Sequence, residues 1–376
     1  MILKFNKLKL TLLVSFCSLF FFAQNSVTKK EESYAETSTS QNKKLQDLGY
    51  AELVMLVQND PKTFIKNEKE IYNSKKKTDD KIDVLLLASE AYSAKEDYKN
   101  MLRRLFQAKE IVDSAGSEQK KIGVRLVIAK QYQILGLNDR AKKEILESLH
   151  HLNTTPENKN TARLKVSSFH TLAAIDMADS TTVNNQTITY LDSASFYINR
   201  APHFAQIERE KVSLFFDKGA ALMLLKKYDE AKINFSQAKK IIVQYPETSF
   251  ILPYINLGFG AIAYEEKDYN TAIQYFNQAI DQTSDDERVG TDIKESAYEY
   301  LTKTYKALGD TKNYMLYNEK WQKIAKKKST QIRNGVLQAL DEVEKEQKQT
   351  LYRKYSTTIN YFIVIALVII FGLVFL

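Results

Sequence analysis

The chain holds one cysteine, five prolines, eleven glycines, one tryptophan and four histidines in 376 residues. Each shortage excludes something. The one cysteine, Cys17, lies in the extreme N-terminal segment, so residues from 24 onward carry no thiol. Disulfides, cysteine-ligated zinc and thiol catalysis are excluded there. A β-sandwich or barrel needs a turn signal roughly every 8–12 residues, and so few glycines and prolines cannot supply it. His150, His151, His170 and His203 do not stand at metal-ligand spacing with one another or with a suitable carboxylate. No glycine-rich phosphate loop, nucleophile-elbow serine or kinase signature occurs. The acids of "DDE" at 285–287 do not by themselves make a calcium loop. The sequence therefore predicts no catalytic residue, no metal and no cofactor.

What is abundant is Lys, Glu, Ala, Leu, Gln and Tyr, a helix-forming set with few breakers, which predicts an all-α protein. The formal net charge is +8. Part of it sits in residues 1–30, where Lys4, Lys7, Lys9, Lys29 and Lys30 meet no acid. The centre mixes Lys and Glu as a solvated helical surface does, so no nucleic-acid contact is expected from this segment.

Both ends read as membrane-directed. "MILKFNKLKLTLLVSFCSLFFFAQNS" has a basic start, a largely apolar run from Leu10 to Phe22, and Ala23 before a cleavage point. This is the layout of a secretory signal over 1–23, followed by a linker over 24–42. Phe21 is bulky for its place in a cleavage site, so an uncleaved anchor stays open as an alternative. Either reading sends the rest of the chain out of the cytoplasm. At the other end, Ile359 to Leu376 is almost wholly apolar and uncharged. At about 1.5 Å per residue it reaches about 27 Å, close to a ~30 Å hydrocarbon core, which predicts a transmembrane helix over 359–376. No Lys or Arg follows Leu376, so the natural chain is expected to continue beyond it.

Between the ends the chain repeats itself. "YDEAKINFSQA" at 228–238 returns as "YNTAIQYFNQA" at 269–279. Relative to Ala231, Gly219 lies 12 before, Phe235 4 after and Ala238 7 after; Gly260, Phe276 and Ala279 keep those offsets from Ala272. Ala231, Phe235 and Ala238 share one helical face, and the small residues let two helices approach closely. Weaker copies centre on Met101, Ala141, Thr187 and Tyr314, with spacings along the series of 40, 46, 44, 41 and 42. A period of this size predicts an α-solenoid over 43–328. Residues 44–72 are expected to form a divergent first pair turning at "NDP", and "DMADSTTVNNQTIT" an enlarged turn.

The repeat resembles the tetratricopeptide repeat over about 80–330, most closely in the Gly219 and Gly260 units. The resemblance implies a concave groove lined by the first helix of each pair. Register places Glu90, Lys130, Asp176, Tyr264 and Lys303 on that face, with a protein or peptide as occupant.

"STQIRNGVLQALDEVEKEQKQTLYRKYSTTIN" then joins the repeats to the apolar run. Ile332, Val336, Leu340, Val343, Gln347 and Leu351 follow a narrow seam, which predicts a stalk over 329–358. It pairs with a second copy as a homodimer or packs back on the last repeat. The order of signal, repeats, stalk and span resembles the sensory half of the Bacteroidetes membrane regulators. In these, one span precedes an AraC-type helix-turn-helix domain or, in related layouts, a histidine kinase. The resemblance implies an inner-membrane protein with its repeats in the periplasm. A passive periplasmic scaffold for envelope assembly is the alternative.

Overall fold

The computed structural model describes residues 44–178, 181–200, 205–283 and 288–374. The expected signal, the linker and the acids at 285–287 lie outside the described residues. Every α-helix of the described chain takes part in a helical hairpin. They are α1 (Tyr50–Asn59) with α2 (Pro61–Ser74), α3 (Thr78–Ala94) with α4 (Tyr98–Ala115), and α5 (Glu118–Ile134) with α6 (Asn138–Thr154). Then come α7 (Lys159–Ala178) with α8 (Asn185–Ile198), and α9 (Ala205–Leu224) with α10 (Tyr228–Gln244). The stack ends with α11 (Leu252–Glu265) and α12 (Tyr269–Asp281), then α13 (Arg288–Leu308) and α14 (Thr311–Val374). Successive first helices, such as α5 and α7 or α11 and α13, also touch each other, whereas second helices of successive hairpins contact one another at most weakly. The stack therefore curves with its first helices inside. This is a tetratricopeptide-like solenoid.

One turn design joins the two helices of five hairpins. Glu96, Gly136, Lys226, Lys267 and Gly309 all have positive φ, and each stands five residues before a reference position of the repeat. The next amide donates back to the first helix, Asp97 to Tyr92, Leu137 to Tyr132, Lys227 to Leu222, Asp268 to Ala263 and Asp310 to Tyr305. That is a Schellman ending, which satisfies carbonyls the helix leaves open. Asp97, Asp268 and Asp310 then cap the second helix, accepting from the amides of Asn100, Thr271 and Asn313. The hairpin of α7 and α8 departs from this design. Its turn is longer and uses Asn184 as the cap, with Thr182 donating to the Asp176 carbonyl at 2.5 Å. The helix α8 starts inside the segment expected to be turn.

Packing explains the recurrence. Met101, Ala141, Thr187, Ala231 and Ala272 are all fully buried. So are Leu105, Ile145, Leu191, Phe235 and Phe276, and Ala108, Ser148, Ala194, Ala238 and Ala279. The Phe235 ring fills the space between two first helices. A Cβ on Gly219 of its own hairpin, or on Gly258 of the next, would come within 2.6 Å of it. Gly260 gives Phe276 the same room. Among the described residues no hairpin follows the last one, and its equivalents Tyr314, Asn318 and Trp321 are only half-buried.

The first pair turns where expected. Asp60 accepts from the Thr63 amide at 3.1 Å, and Pro61 opens α2, where its missing amide costs nothing. The segment expected as a stalk, 329–358, is the middle of α14 and continues the last hairpin without a break. Among the described residues no helix is long and apolar enough to cross a membrane. The run 359–376 continues the α14 backbone to Val374, but its side chains lie outside the described residues.

Candidate functional site

The first helices line the inside of the curve, and three groups of polar side chains sit there. The first joins α3 to α5. Lys130 is buried, and its charge acts on Glu90, which burial pushes up to about 7 against the pull of Lys130. Along the same seam Lys120 donates to Asp83 at 2.5 Å. Burial raises Asp83 to about 6, opposed by that lysine. Register alone placed Glu90 and Lys130 on this face, and the structure sets them side by side.

A second group is aromatic. Tyr264 of α11 stands edge-on to Tyr300 of α13, with ring centroids 5.7 Å apart, and Tyr300 stacks on Phe276 at 5.1 Å. Lys303 lies 5.1 Å over the Tyr300 ring and donates to Glu299 at 2.5 Å. Burial pushes the Tyr300 hydroxyl far up, helped by Glu299, so it stays protonated. Tyr264 and Lys303 thus meet around a residue that the register did not single out. Asp176 stands apart. It accepts from Thr187 at 3.1 Å within its own hairpin and serves the long turn.

The third group escaped the sequence reading. His170 of α7 contacts Asp217 of α9 through Nε2 at 2.5 Å, and its Nδ1 lies 3.7 Å from Glu210. All three side chains are 2 % exposed. Burial alone would lower the imidazole pKa, but the two carboxylates outweigh it and push His170 up to about 9. The ring is therefore a buried cation at neutral pH, with both N–H groups facing acids. Those acids lie on opposite edges of the ring, so the three do not converge on one point. Among the described residues no His, Cys, Asp or Glu group is arranged to hold a metal. His170 lies 40 and 47 residues from Glu210 and Asp217, so no local motif could announce it. One signal was available. Asp217 stands fourteen residues before Ala231, at the register of Gly258 and Tyr300 in the next units, where a charge is out of place.

On the other side of the stack the middle of α14 lies against α4. Ala339 and Val343 are buried in the core that α3 to α7 build. Arg103 donates to Glu342 at 2.8 Å, Lys109 to Glu346 at 3.3 Å, and Lys99 lies 3.8 Å from Asp341. The Gln347 amide oxygen accepts from Arg140 of α6 at 2.9 Å. The contact is narrow. Covering Val343 contributes about 2 kcal/mol. Ion pairs whose basic partners are 40–43% exposed add about 0–1 kcal/mol each. Within one chain these residues pack on the second hairpin, and not on the last as expected. Leu340 of the expected seam is 41 % exposed and faces away.

Comparison with known proteins yields a fold and no family. No protein-family model matches the chain, and no curated protein does. Among solved structures it is similar to a Rap protein crystallised in complex with Competence and Sporulation Factor. That match has a TM-score of 0.51 at 14 % identity and covers 75 % of this chain and 85 % of that one. BtubC from P. vanneervenii also aligns, over 75 % of this chain and 93 % of that one, at 9 % identity; its TM-score of 0.31 carries no argument. The chain is thus a helical-repeat protein of the tetratricopeptide-like class, the class to which the Rap fold belongs.

Proposed function

We propose that this protein is a binding module whose inner face takes an extended peptide or a protein segment. The observation that carries the reading is the pairing of chemistry along that face. A buried acid and base, Glu90 under the charge of Lys130, lie toward one end, and an aromatic shelf with a cation, Tyr264, Tyr300 and Lys303, toward the other. Charge at one end and rings at the other suit a peptide of mixed sequence better than a single small molecule. The likeness to a Rap protein, whose structure holds Competence and Sporulation Factor, supports the same reading. No chemical step is assigned to the site.

In the fuller proposal the module is the sensory half of a membrane regulator. Residues 1–23 direct export, the repeats stand in the periplasm of an inner-membrane protein, and 359–376 spans the bilayer. An output domain of helix-turn-helix type follows on the cytoplasmic side. Occupancy of the inner face changes the curvature of the stack, and α14 carries that change toward the apolar run. A ligand shifts such an equilibrium only by its differential affinity for the two shapes.

The test uses a displayed library of random peptides selected against the full chain in nanodiscs. Selected peptides should bind at micromolar Kd or better, and lose at least ~10-fold in affinity on Lys130→Ala or Tyr300→Ala. A library that yields no binder sensitive to either residue overturns the proposal.

A further inference from the structure

The contact between α14 and the second hairpin has three features that together define a docking surface. The first is charge complementarity. Lys99, Arg103 and Lys109 of α4 and Arg140 of α6 form a basic strip, and Asp341, Glu342 and Glu346 of α14 face it. The second is shape: Ala339 and Val343, one helical turn apart, seat the helix in the core between the charges. The third is separateness. The same helix forms the last hairpin with α13 and then crosses to the second, making no other substantial contact among the described residues. Its outward side chains Leu337 and Leu340 stay 62 % and 41 % exposed. Glu342 is itself buried, but its partners Lys99 and Arg103 are 43% and 40% exposed, so water reaches these pairs and a segment seated by two small apolar side chains can leave.

We propose that the strip formed by α4 and α6 is a receptor for an acidic amphipathic helix, occupied in cis by residues 339–347 as a reversible latch. The latch is closed in this structure. When it opens, α14 is free beyond its own hairpin, and the strip accepts a helix of the same chemistry in trans. This deepens the proposed relay, because it gives the repeats a definite hold on the helix that leads to 359–376. The docking equilibrium itself does not require the peptide groove to be correct.

The test uses the full chain in nanodiscs, with Cys17→Ser as background and spin labels at Gln107→Cys and Lys345→Cys, both exposed positions flanking the contact. Pulsed dipolar spectroscopy reads the docked and undocked populations. At low salt a single short distance is expected. Raising the ionic strength to ~1 M, where the screening length is ~3 Å, should move population to longer distances. Arg103→Glu should raise the undocked-to-docked ratio at least ~10-fold. Adding Glu342→Arg to it should restore the short distance, because the pair is remade with its signs exchanged. Glu346→Lys, farther from Ala339 and Val343, gives the same reading with less risk to folding. A synthetic peptide of residues 334–351, added in trans, should compete and populate the undocked state.

An unchanged short distance in Arg103→Glu and in the presence of the peptide would overturn the proposal, because the contact would then be a fixed part of the core. A short distance that appears only when singly labelled chains are mixed would also overturn it, because the segment would be docking between copies. No groove ligand is present in any of these measurements. A failed peptide selection therefore leaves their outcome intact, and a failed latch leaves the groove standing.

Discussion

Two neighbouring seams between first helices solve the same packing problem by opposite means. Between α9 and α11 the contact is apolar, with the Phe235 ring lying against Gly219 on one side and Gly258 on the other. Between α7 and α9 the contact is ionic, with His170 held by Asp217 and Glu210 where water does not reach. The registers match, since Asp217 and Gly258 each stand fourteen residues before the reference alanine of their unit. At Gly258 the preceding second helix sends in a ring. At Asp217 it supplies Leu191, which is smaller, and the carboxylate reaches across to α7 instead. A repeat can therefore keep its spacing while the chemistry of one seam is exchanged. The apolar seam rests on a ring and two glycines, and the ionic one on a histidine whose protonated form Asp217 and Glu210 favour.

The largest effect tests the apolar seam. Phe235→Ala removes a fully buried ring that touches two hairpins, and should cost about 4 kcal/mol in denaturant unfolding. It should also uncouple α9–α10 from α11–α12, so that the transition broadens. A sharp transition at nearly unchanged midpoint would mean that the stack does not depend on this ring.

The ionic seam should give way by a different route. His170→Ala leaves two buried carboxylates without their cation, and should cost about 3 kcal/mol or more at neutral pH. In the intact protein the folded pKa of His170 is about 9, above an ordinary value of 6.5. The stabilisation is therefore complete below about pH 6.5 and is lost as the pH climbs through about 9. Its full size is on the order of 3 kcal/mol. Glu90 and Asp83 are raised to about 7 and 6, so their titrations precede the upper part of that window. Melting temperatures should fall from neutral pH toward pH 9, and the fall should vanish when His170→Asn is combined with Glu210→Gln and Asp217→Asn, which removes every charge of the cluster. A variant that keeps the same slope would assign it to other groups.

The contrast also explains what a reader of the sequence could find. The apolar seam was legible because its parts recur at fixed offsets and each part has one geometric job. Even the weakly matching unit around Thr187 keeps Thr187, Leu191 and Ala194 fully buried. Glu90 and Lys130 were reached by the same register, because adjoining first helices bring equal positions together. The His170 cluster follows no register, since its three members come from one-off substitutions on two helices. The cis docking of α14 was half legible. The apolar spacing of Val343 was visible, but not the partner, because nothing in 329–358 names α4. Ala339 was missed because alanine does not stand out in a Leu and Val seam.

A smaller pair of substitutions sharpens the comparison at one register. Gly258→Ala places a Cβ 2.6 Å from the Phe235 ring and should cost about 2 kcal/mol. The equivalent residue two units earlier is already alanine, Ala173, fully buried in the core. There Ala173→Gly should cost about 1–2 kcal/mol, through backbone freedom and the loss of a buried methyl. Opposite preferences at one register would establish that the ring, and not the helix, demands the glycine. A gain of about 1 kcal/mol in Gly258→Ala would return both effects to helix propensity.

The smallest effect lies in the turns, where the two halves of the comparison agree. Five hairpins place positive φ at one register, two with glycine and three with Glu96, Lys226 and Lys267. A side chain there costs roughly 1 kcal/mol in the folded state, while glycine loses more freedom on folding. The two partly offset, so Lys226→Gly should stabilise by about 0.5 kcal/mol and Gly136→Lys destabilise by about as much. Both positions lie away from the seams, so the changes should add to those at Phe235 and His170 without coupling. A larger gain at Lys226 would show that the strain of the left-handed turn, and not the packing of the rings, limits how well the α9–α10 hairpin closes.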